Sequence, residues 1–370
     1  MFQRRGAEPI EAVSNLSFSI DDRECLVIVG PSGSGKTTVL RLIAGLEAPA
    51  SGEILINGKV MNHIPAGQRE VAMVFQNPAL YPQMSIADNL QFGLRLRGIP
   101  SAEAALRIRE AAELLGLTEF LQARPNELSG GQRQRVAMGR AIVRRAPVLL
   151  LDEPLANLDP PWRAELRQDL ANIRSKFGTT MAYVTHDHLE AMLAGDRLAV
   201  LRDGRLQQLE PPRIVYQRPA NLFVAEFFGF PAINLFRGRL LQSDGKLFFQ
   251  VAVSSPSSSN EFCLSMDARW APLAEKLVDR TVILAVRPEQ IRPAFSHDPR
   301  PAGATLLAGI ELVQSAGAEL LVRASSDAVA FNARVPASDL LAPGQKCAFT
   351  FDTQSAGVFD PVTGKAFESP

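Results

Sequence analysis

Residues 26–29 read Leu-Val-Ile-Val, an apolar run that breaks into Gly30-Pro31-Ser32-Gly33-Ser34-Gly35-Lys36-Thr37-Thr38; residues 38–44 then resume at helical spacing. Few local patterns restrict a fold so tightly. A glycine-rich turn between a buried strand and a helix gathers the unpaired N–H groups of the helix start at one point. Those N–H groups can wrap a β-phosphate, Lys36 can reach the β and γ oxygens, and the Thr37 hydroxyl can ligate magnesium. A plain Gly/Ser turn would need neither the Lys-Thr pair nor the apolar strand before it. The unit predicts an α/β domain.

Further short apolar runs at 71–75, 148–151 and 181–184, with helical patterns between them, predict a parallel sheet covered on both faces. Residues 51–58 read as a hairpin arm, and 85–122 as predominantly helical, with Ser101 at a helix start. A second phosphate-binding device stands at 128–132, Leu-Ser-Gly-Gly-Gln, at the mouth of a predicted helix. There Ser129, Gly130, Gly131 and Gln132 combine a hydroxyl, open backbone and the positive end of a helix dipole. Asp152 and Glu153 end the run at 148–151, where ligands sit in open α/β sheets. Asp152 suits a magnesium shell and Glu153 the orientation of an attacking water. His186, just past the run at 181–184, is a candidate γ-phosphate contact. Gln76, after the run at 71–75, is placed to contact magnesium or water.

Beyond Pro231 the pattern changes to short alternating runs broken by Gly, Ser and Pro, at 236–241, 247–253, 281–286, 304–313, 319–322 and 346–351. These predict a small β-barrel or sandwich. Residues 254–260 read as a polar loop. The expected division is an α/β phosphate-binding domain at 1–235, with its helical part at about 85–145, and a β domain at 236–370. Lys+Arg and Asp+Glu both number 39, which gives no support to a nucleic-acid binder. The cysteines, Cys25, Cys263 and Cys347, lack metal-ligand spacing and suggest reduced thiols in the cytoplasm. No run approaches the roughly 18–20 apolar residues of a membrane helix, so any membrane role is expected to come through a partner.

In this order the motifs resemble the nucleotide-binding subunits of ABC transporters, along the whole chain. The Walker A loop falls at 30–38, the Q-loop at Gln76, the signature at 128–132, Walker B at 148–153, the D-loop at 157–159 with Asp159, and the switch histidine at His186. Residues 75–82, 130–137, 219–225 and Arg287-Pro288-Glu289 look like importer ATPases with a C-terminal OB-like (TOBE) regulatory domain, and 230–234 leans towards the sugar branch. The resemblance implies ATP and Mg2+ as cofactors, with Thr37, Gln76 and Asp152 towards the metal. It implies catalysis by Glu153 and His186, and head-to-tail pairing in which Ser129–Gln132 complete the partner's site. A homodimer or paired homologue, two membrane permease subunits gripped through the helical part, and an extracytoplasmic solute-binding protein are the implied partners. The place of work is the cytoplasmic face of the membrane. Sugars or glycerol-phosphate-type solutes are the leading cargo, with polyamine, ferric iron or another small solute as alternatives.

The sequence departs from the family pattern in three places. Residues before Ser14 are too few for the usual first strand, so the start reads as shortened; Phe2 is the aromatic residue left to stack on adenine, against the alternative of a disordered terminal residue. Pro160-Pro161-Trp162 follows the D-loop where a charged helix start is usual, a place where proline is tolerated. His188 replaces a common glutamine and reads as a neighbour of His186. The rival class is a soluble ABC ATPase acting on nucleic acid or ribosomes. Such proteins commonly carry two ATPase domains or long coiled-coil insertions, and this sequence has neither.

Overall fold

The structure, a computed structural model, describes residues 11–156, 158–251, 263–294 and 305–367. Phe2 and residues 254–260 lie outside the described residues. Two compact units meet in the chain at Pro212 and Arg213.

The first unit contains β1 (Cys25–Val29), α1 (Lys36–Ala44), the hairpin β2 (Leu55–Ile56) and β3 (Lys59–Val60), β4 (Val71–Val74), α2 (Ile86–Leu96), α3 (Ser101–Leu114), α4 (Gly130–Ile142), β5 (Val148–Asp152), α5 (Pro160–Phe177), β6 (Thr180–Val184), α6 (His188–Ala194), β7 (Arg197–Arg202) and β8 (Arg205–Glu210). Its sheet runs β4-β5-β6-β1-β7-β8, with β8 antiparallel to β7 and the other pairs parallel. β1 is buried at every residue, which suits its unbroken apolar run and its central position. Because β1, β5 and β6 are parallel, the segments that leave them emerge along one edge of the sheet. That edge is where open α/β sheets hold ligands.

The hairpin expected at 51–58 forms between β2 and β3, turning through Asn57 and Gly58 at φ of 51° and 72°. The β7–β8 hairpin was not anticipated. Its turn, Asp203-Gly204, takes φ of 49° and 73°, the left-handed geometry that an Asp-Gly pair supplies to tight hairpins. The helical part is α2, α3 and α4. The Ser85 hydroxyl caps α2 by accepting from the Asp88 N–H at 3.1 Å. A Cβ on Gly139 of α4 would lie 2.8 Å from Leu90 of α2, so the missing side chain lets these two helices approach. α5 starts at Pro160, which the unbonded N–H positions of a first helical turn tolerate.

The second unit opens with α7 (Pro212–Gln217) and α8 (Leu222–Phe227) and continues as β structure: β9 (Asn234–Ser243), β10 (Lys246–Val251), β11 (Cys263–Ser265), β12 (Thr281–Val286), β13 (Ile291–Pro293), β14 (Thr305–Ser315), β15 (Glu319–Ser325), β16 (Ala330–Pro336), β17 (Lys346–Phe351) and β18 (Gly357–Phe359). Among the described residues these form two antiparallel sheets, β11-β10-β9-β12-β18 and β13-β17-β14-β15-β16. The sheets enclose one barrel-like core. Phe331 lies edge-on to both Phe349 and Phe351, at centroid distances of 5.1 and 5.3 Å.

The compact second unit begins before the expected division at 235/236, and buried Arg287 accounts for this. Its guanidinium donates to the carbonyls of Ala225 (3.1 Å), Tyr216 (3.0 Å) and Phe228, and stacks 4.1 Å from the Tyr216 ring. Tyr216 in turn donates to Glu289 at 2.7 Å. The Arg-Pro-Glu motif therefore fastens α7 and α8 to the β structure.

Candidate nucleotide site

The loop after β1 owes its path to its glycines. Cβ atoms at Gly30 and Gly35 would fall 2.3 Å from the Leu201 carbonyl oxygen and 2.4 Å from that of Ala12. Gly35 also holds φ of 94°, which only glycine adopts without strain. Gly33, at φ of 81°, has nothing within 4 Å of its would-be Cβ, so space lies open above the turn. Lys36 is 6% exposed, and its ammonium donates to the Gly30 and Pro31 carbonyls, each at 2.9 Å. It has three protons to give, and two curl the loop back on itself. Burial lowers the Lys36 pKa from its ordinary value, opposed by the charges of Glu153 and Asp152. The buried Ser34 hydroxyl has no hydrogen-bond partner. An open turn, an orphaned hydroxyl and an under-compensated ammonium fit a polyphosphate.

At the end of β5, Asp152 is 7% exposed and accepts from the Thr37 hydroxyl at 2.9 Å. Burial raises its pKa, while the Thr37 hydrogen bond works the other way. Hydroxyl and carboxylate thus stand ready as a pair of oxygen ligands. No cluster of three or more His, Cys, Asp or Glu side chains that could hold a metal exists among the described residues. A cation held here must complete its shell with phosphate and water, the usual habit of magnesium.

Glu153 leaves the strand at φ of 45°, a conformation costly for a residue with a side chain, and its N–H bonds the Val184 carbonyl of β6 at 3.0 Å. Its Oε2 receives the Gln76 amide at 3.1 Å and lies 3.1 Å from Nδ1 of His186. Residues from the ends of β4, β5 and β6 therefore meet at one carboxylate. The His186 side chain is 60% exposed.

The segment after β6 is itself anchored. Asp187 caps α6, its Oδ1 accepting from the N–H groups of Leu189 (2.8 Å) and Glu190 (3.0 Å). Buried Glu190 accepts from the hydroxyls of Tyr183 (2.8 Å) and Thr185 (2.7 Å), tying α6 to the end of β6. Sequence reasoning passed over both residues. The Asp187-x-x-Glu190 spacing at a helix start was a readable cap signal; the inward turn of Glu190 left no local mark. Burial also lowers the His188 pKa, opposed by the neighbouring Asp187 carboxylate.

Ser129 and Gly130 are exposed. The Ser129 hydroxyl accepts from the Gln132 N–H at 3.2 Å, and the Ser129 N–H donates to the Gln132 side chain at 2.8 Å, a reciprocal cap at the start of α4. Both bonds stay within the first turn. Gly131 lies against Leu158 and Trp162, its would-be Cβ 3.7 and 3.8 Å from them. Asp159 is exposed at the start of α5, and its side chain makes no capping bond.

Comparison with known proteins agrees with this geometry. Residues 13–156 match the family model described as ABC transporter, and residues 284–359 the one described as TOBE domain. The chain is 42% identical to the trehalose/maltose import ATP-binding protein MalK of Thermococcus litoralis, over 96% of this chain and 95% of that one. It is 40% identical to the oligosaccharides import ATP-binding protein MsmX of Bacillus subtilis, over 95% and 94%, and 40% identical to the sulfoquinovosyl glycerol transport ATP-binding protein SmoE of Agrobacterium fabrum, over 96% and 95%. A solved ATP-binding cassette, dimeric in a post-hydrolysis state with ADP and Pi bound, superposes with a TM-score of 0.53 at 32% identity, covering 57% of this chain and 95% of that one. The chain is an ATPase and belongs to the family of ATP-binding subunits of ABC importers, with an ABC transporter domain followed by a TOBE domain.

Proposed function

We propose that this chain is the energy-coupling subunit of an importer for sugars or glycerol-phosphate-type solutes. It would act at the cytoplasmic face of the membrane, bound to two permease subunits and supplied by an extracytoplasmic solute-binding protein. The cargo reading rests on the names of the relatives, which carry trehalose/maltose, oligosaccharides and sulfoquinovosyl glycerol. No helix among the described residues is long and apolar enough to cross a membrane, so contact with the bilayer would come through the permeases.

The observation that carries the mechanism is the meeting of Gln76, Glu153 and His186 beside the Thr37–Asp152 pair. Residues 30–38 would hold the phosphates of ATP by backbone N–H groups and Lys36. Thr37, Asp152 and Gln76 would hold magnesium, which neutralises phosphate charge when bound. Glu153 accepts a hydrogen bond from water and aims its oxygen at the γ-phosphorus. As the new P–O bond forms, the water's proton passes to Glu153, the bond to the β-phosphate oxygen breaks, and ADP and phosphate leave. With Nδ1 turned to Glu153, the other ring nitrogen of His186 is the one available to a γ-phosphate oxygen. Exposed Ser129 and Gly130, with half-buried Gly131 and Gln132, would close on the ATP of a second copy, with Asp159 at the same interface. Closure driven by γ-phosphate contacts and released by hydrolysis would switch the permease.

Glu153→Gln keeps the shape of the site and removes the charge. It is expected to abolish turnover while ATP still drives dimerisation, read by hydrolysis assay and size-exclusion chromatography; brisk hydrolysis by the variant would remove Glu153 from this role. Uptake of labelled maltose, oligosaccharide and glycerol-phosphate by a strain lacking the gene tests the cargo, with polyamine and ferric iron as the competing outcomes.

A further inference from the structure

Arg163, in the first turn of α5, spends its guanidinium on two separate segments. Nε donates to the Leu158 carbonyl of the D-loop at 2.7 Å and Nη2 to the Ala156 carbonyl just before it at 3.4 Å. Nη1 donates to Oδ2 of Asp187 at 3.3 Å, beside His186. The other oxygen of Asp187 caps α6, so the ion pair is not needed for the cap. Both side chains are about one-third exposed, where an isolated ion pair contributes little stability. A planar fork reaching three acceptors on two segments is a geometric device more than an energetic one.

We infer that Arg163 is a positioning residue that ties the D-loop to the switch histidine, so that displacement of one carries the other. The D-loop carbonyls lie at the start of α5, close to the exposed Asp159, while His186 lies on Glu153. A partner chain pressing on the D-loop would thereby set the position of His186. Two bonds hold the D-loop end and one holds the histidine end. Truncating Arg163 frees both; Asp187→Asn retains the α6 cap oxygen and weakens only the tie.

The inference rests on the reading of His186 as a phosphate contact, and the test separates the two. Turnover, KM for ATP and thermal midpoint are measured on the full chain as Arg163→Ala, Arg163→Lys, Asp187→Asn, the Ala/Asn double variant and His186→Ala. Arg163→Ala and Asp187→Asn are expected to lower kcat on the order of 10- to 100-fold, the scale of a small misplacement in a catalytic site. KM should stay within about twofold, because the loop at 30–38 is untouched. Arg163→Lys should recover little, since an ammonium cannot fork, and the double variant should be no slower than Arg163→Ala alone. Wild-type turnover in Arg163→Ala, full recovery with lysine, or losses that multiply in the double variant would each overturn the inference. If Arg163→Ala fails to fold, Asp187→Asn and Arg163→Lys carry the decision on the same criteria. Wild-type turnover in His186→Ala would instead remove the histidine reading itself, and the inference with it.

Discussion

Asp152 and Lys36 show how a single side chain can be held at the expense of the ligand-free fold. Burial drives both away from their charged forms, raising the carboxyl and lowering the ammonium. A carboxyl whose folded pKa is raised destabilises the fold at pH values above that pKa, where it is ionised and buried. The penalty fades as pH falls through the raised value, and it is absent below the ordinary carboxylate range, where folded and unfolded forms are both protonated. Asp152→Asn is therefore expected to raise the thermal midpoint of the ligand-free chain at neutral pH, with the gain shrinking on acidification, while magnesium-dependent hydrolysis falls. A midpoint lowered at neutral pH and unchanged in acid would contradict this. Lys36 was legible because its spacing from the glycines is a local pattern. The burial that perturbs it was not, because the Leu201 and Ala12 carbonyls that crowd Gly30 and Gly35 come from distant parts of the chain.

At the scale of elements, motifs with a local period read clearly and those that depend on a partner strand did not. β1, β4, β5 and β6 were visible as apolar runs because a strand covered on both faces needs no alternation. α4 was expected as the helix that opens at residues 128–132, and its serine cap emerged only in the structure. β16 was missed because Ala-Phe-Asn-Ala-Arg-Val-Pro mixes small and polar residues; its inward Phe331, Ala333 and Val335 become a face only beside β15. Asn234 illustrates the same limit. Its buried amide donates to the carbonyls of Val286 (3.1 Å) and Asn332 (2.9 Å) and accepts from the Asn332 N–H at 2.7 Å, joining β9, β12 and β16. Asn234→Ala would strand three backbone groups and is expected to cost about 2–3 kcal/mol in unfolding of the second unit, measured by denaturant titration. A loss below about 0.5 kcal/mol, the range of ordinary surface substitutions, would show that water or relaxation replaces those bonds.

For the whole molecule, the proposed pairing with a second copy gives the two candidate phosphate-binding segments separate roles. Those at 30–38 curl around Lys36, whereas the Ser129 cap bonds only within its own helix turn and lies exposed. Ser129→Arg removes a helix cap worth roughly 1 kcal/mol and places a bulky cation where a second chain would bring its ATP. The variant should fold, bind ATP as a monomer with little change, and fail to dimerise in the Glu153→Gln background by light scattering. Dimerisation like that of the parent would place the signature outside the interface. The sequence by itself determined the order of the motifs, the α/β character of the first unit and the β character of the second, because strand–loop–helix geometry and glycine spacing are local properties of the chain. Tertiary structure alone decided that Gln76 and His186 converge on one carboxylate, that Arg163 joins two loops, and that Arg287 draws α7 and α8 into the second unit. Each depends on contacts between residues far apart in the chain, set by strand order and burial, for which no nearby residue carries a mark.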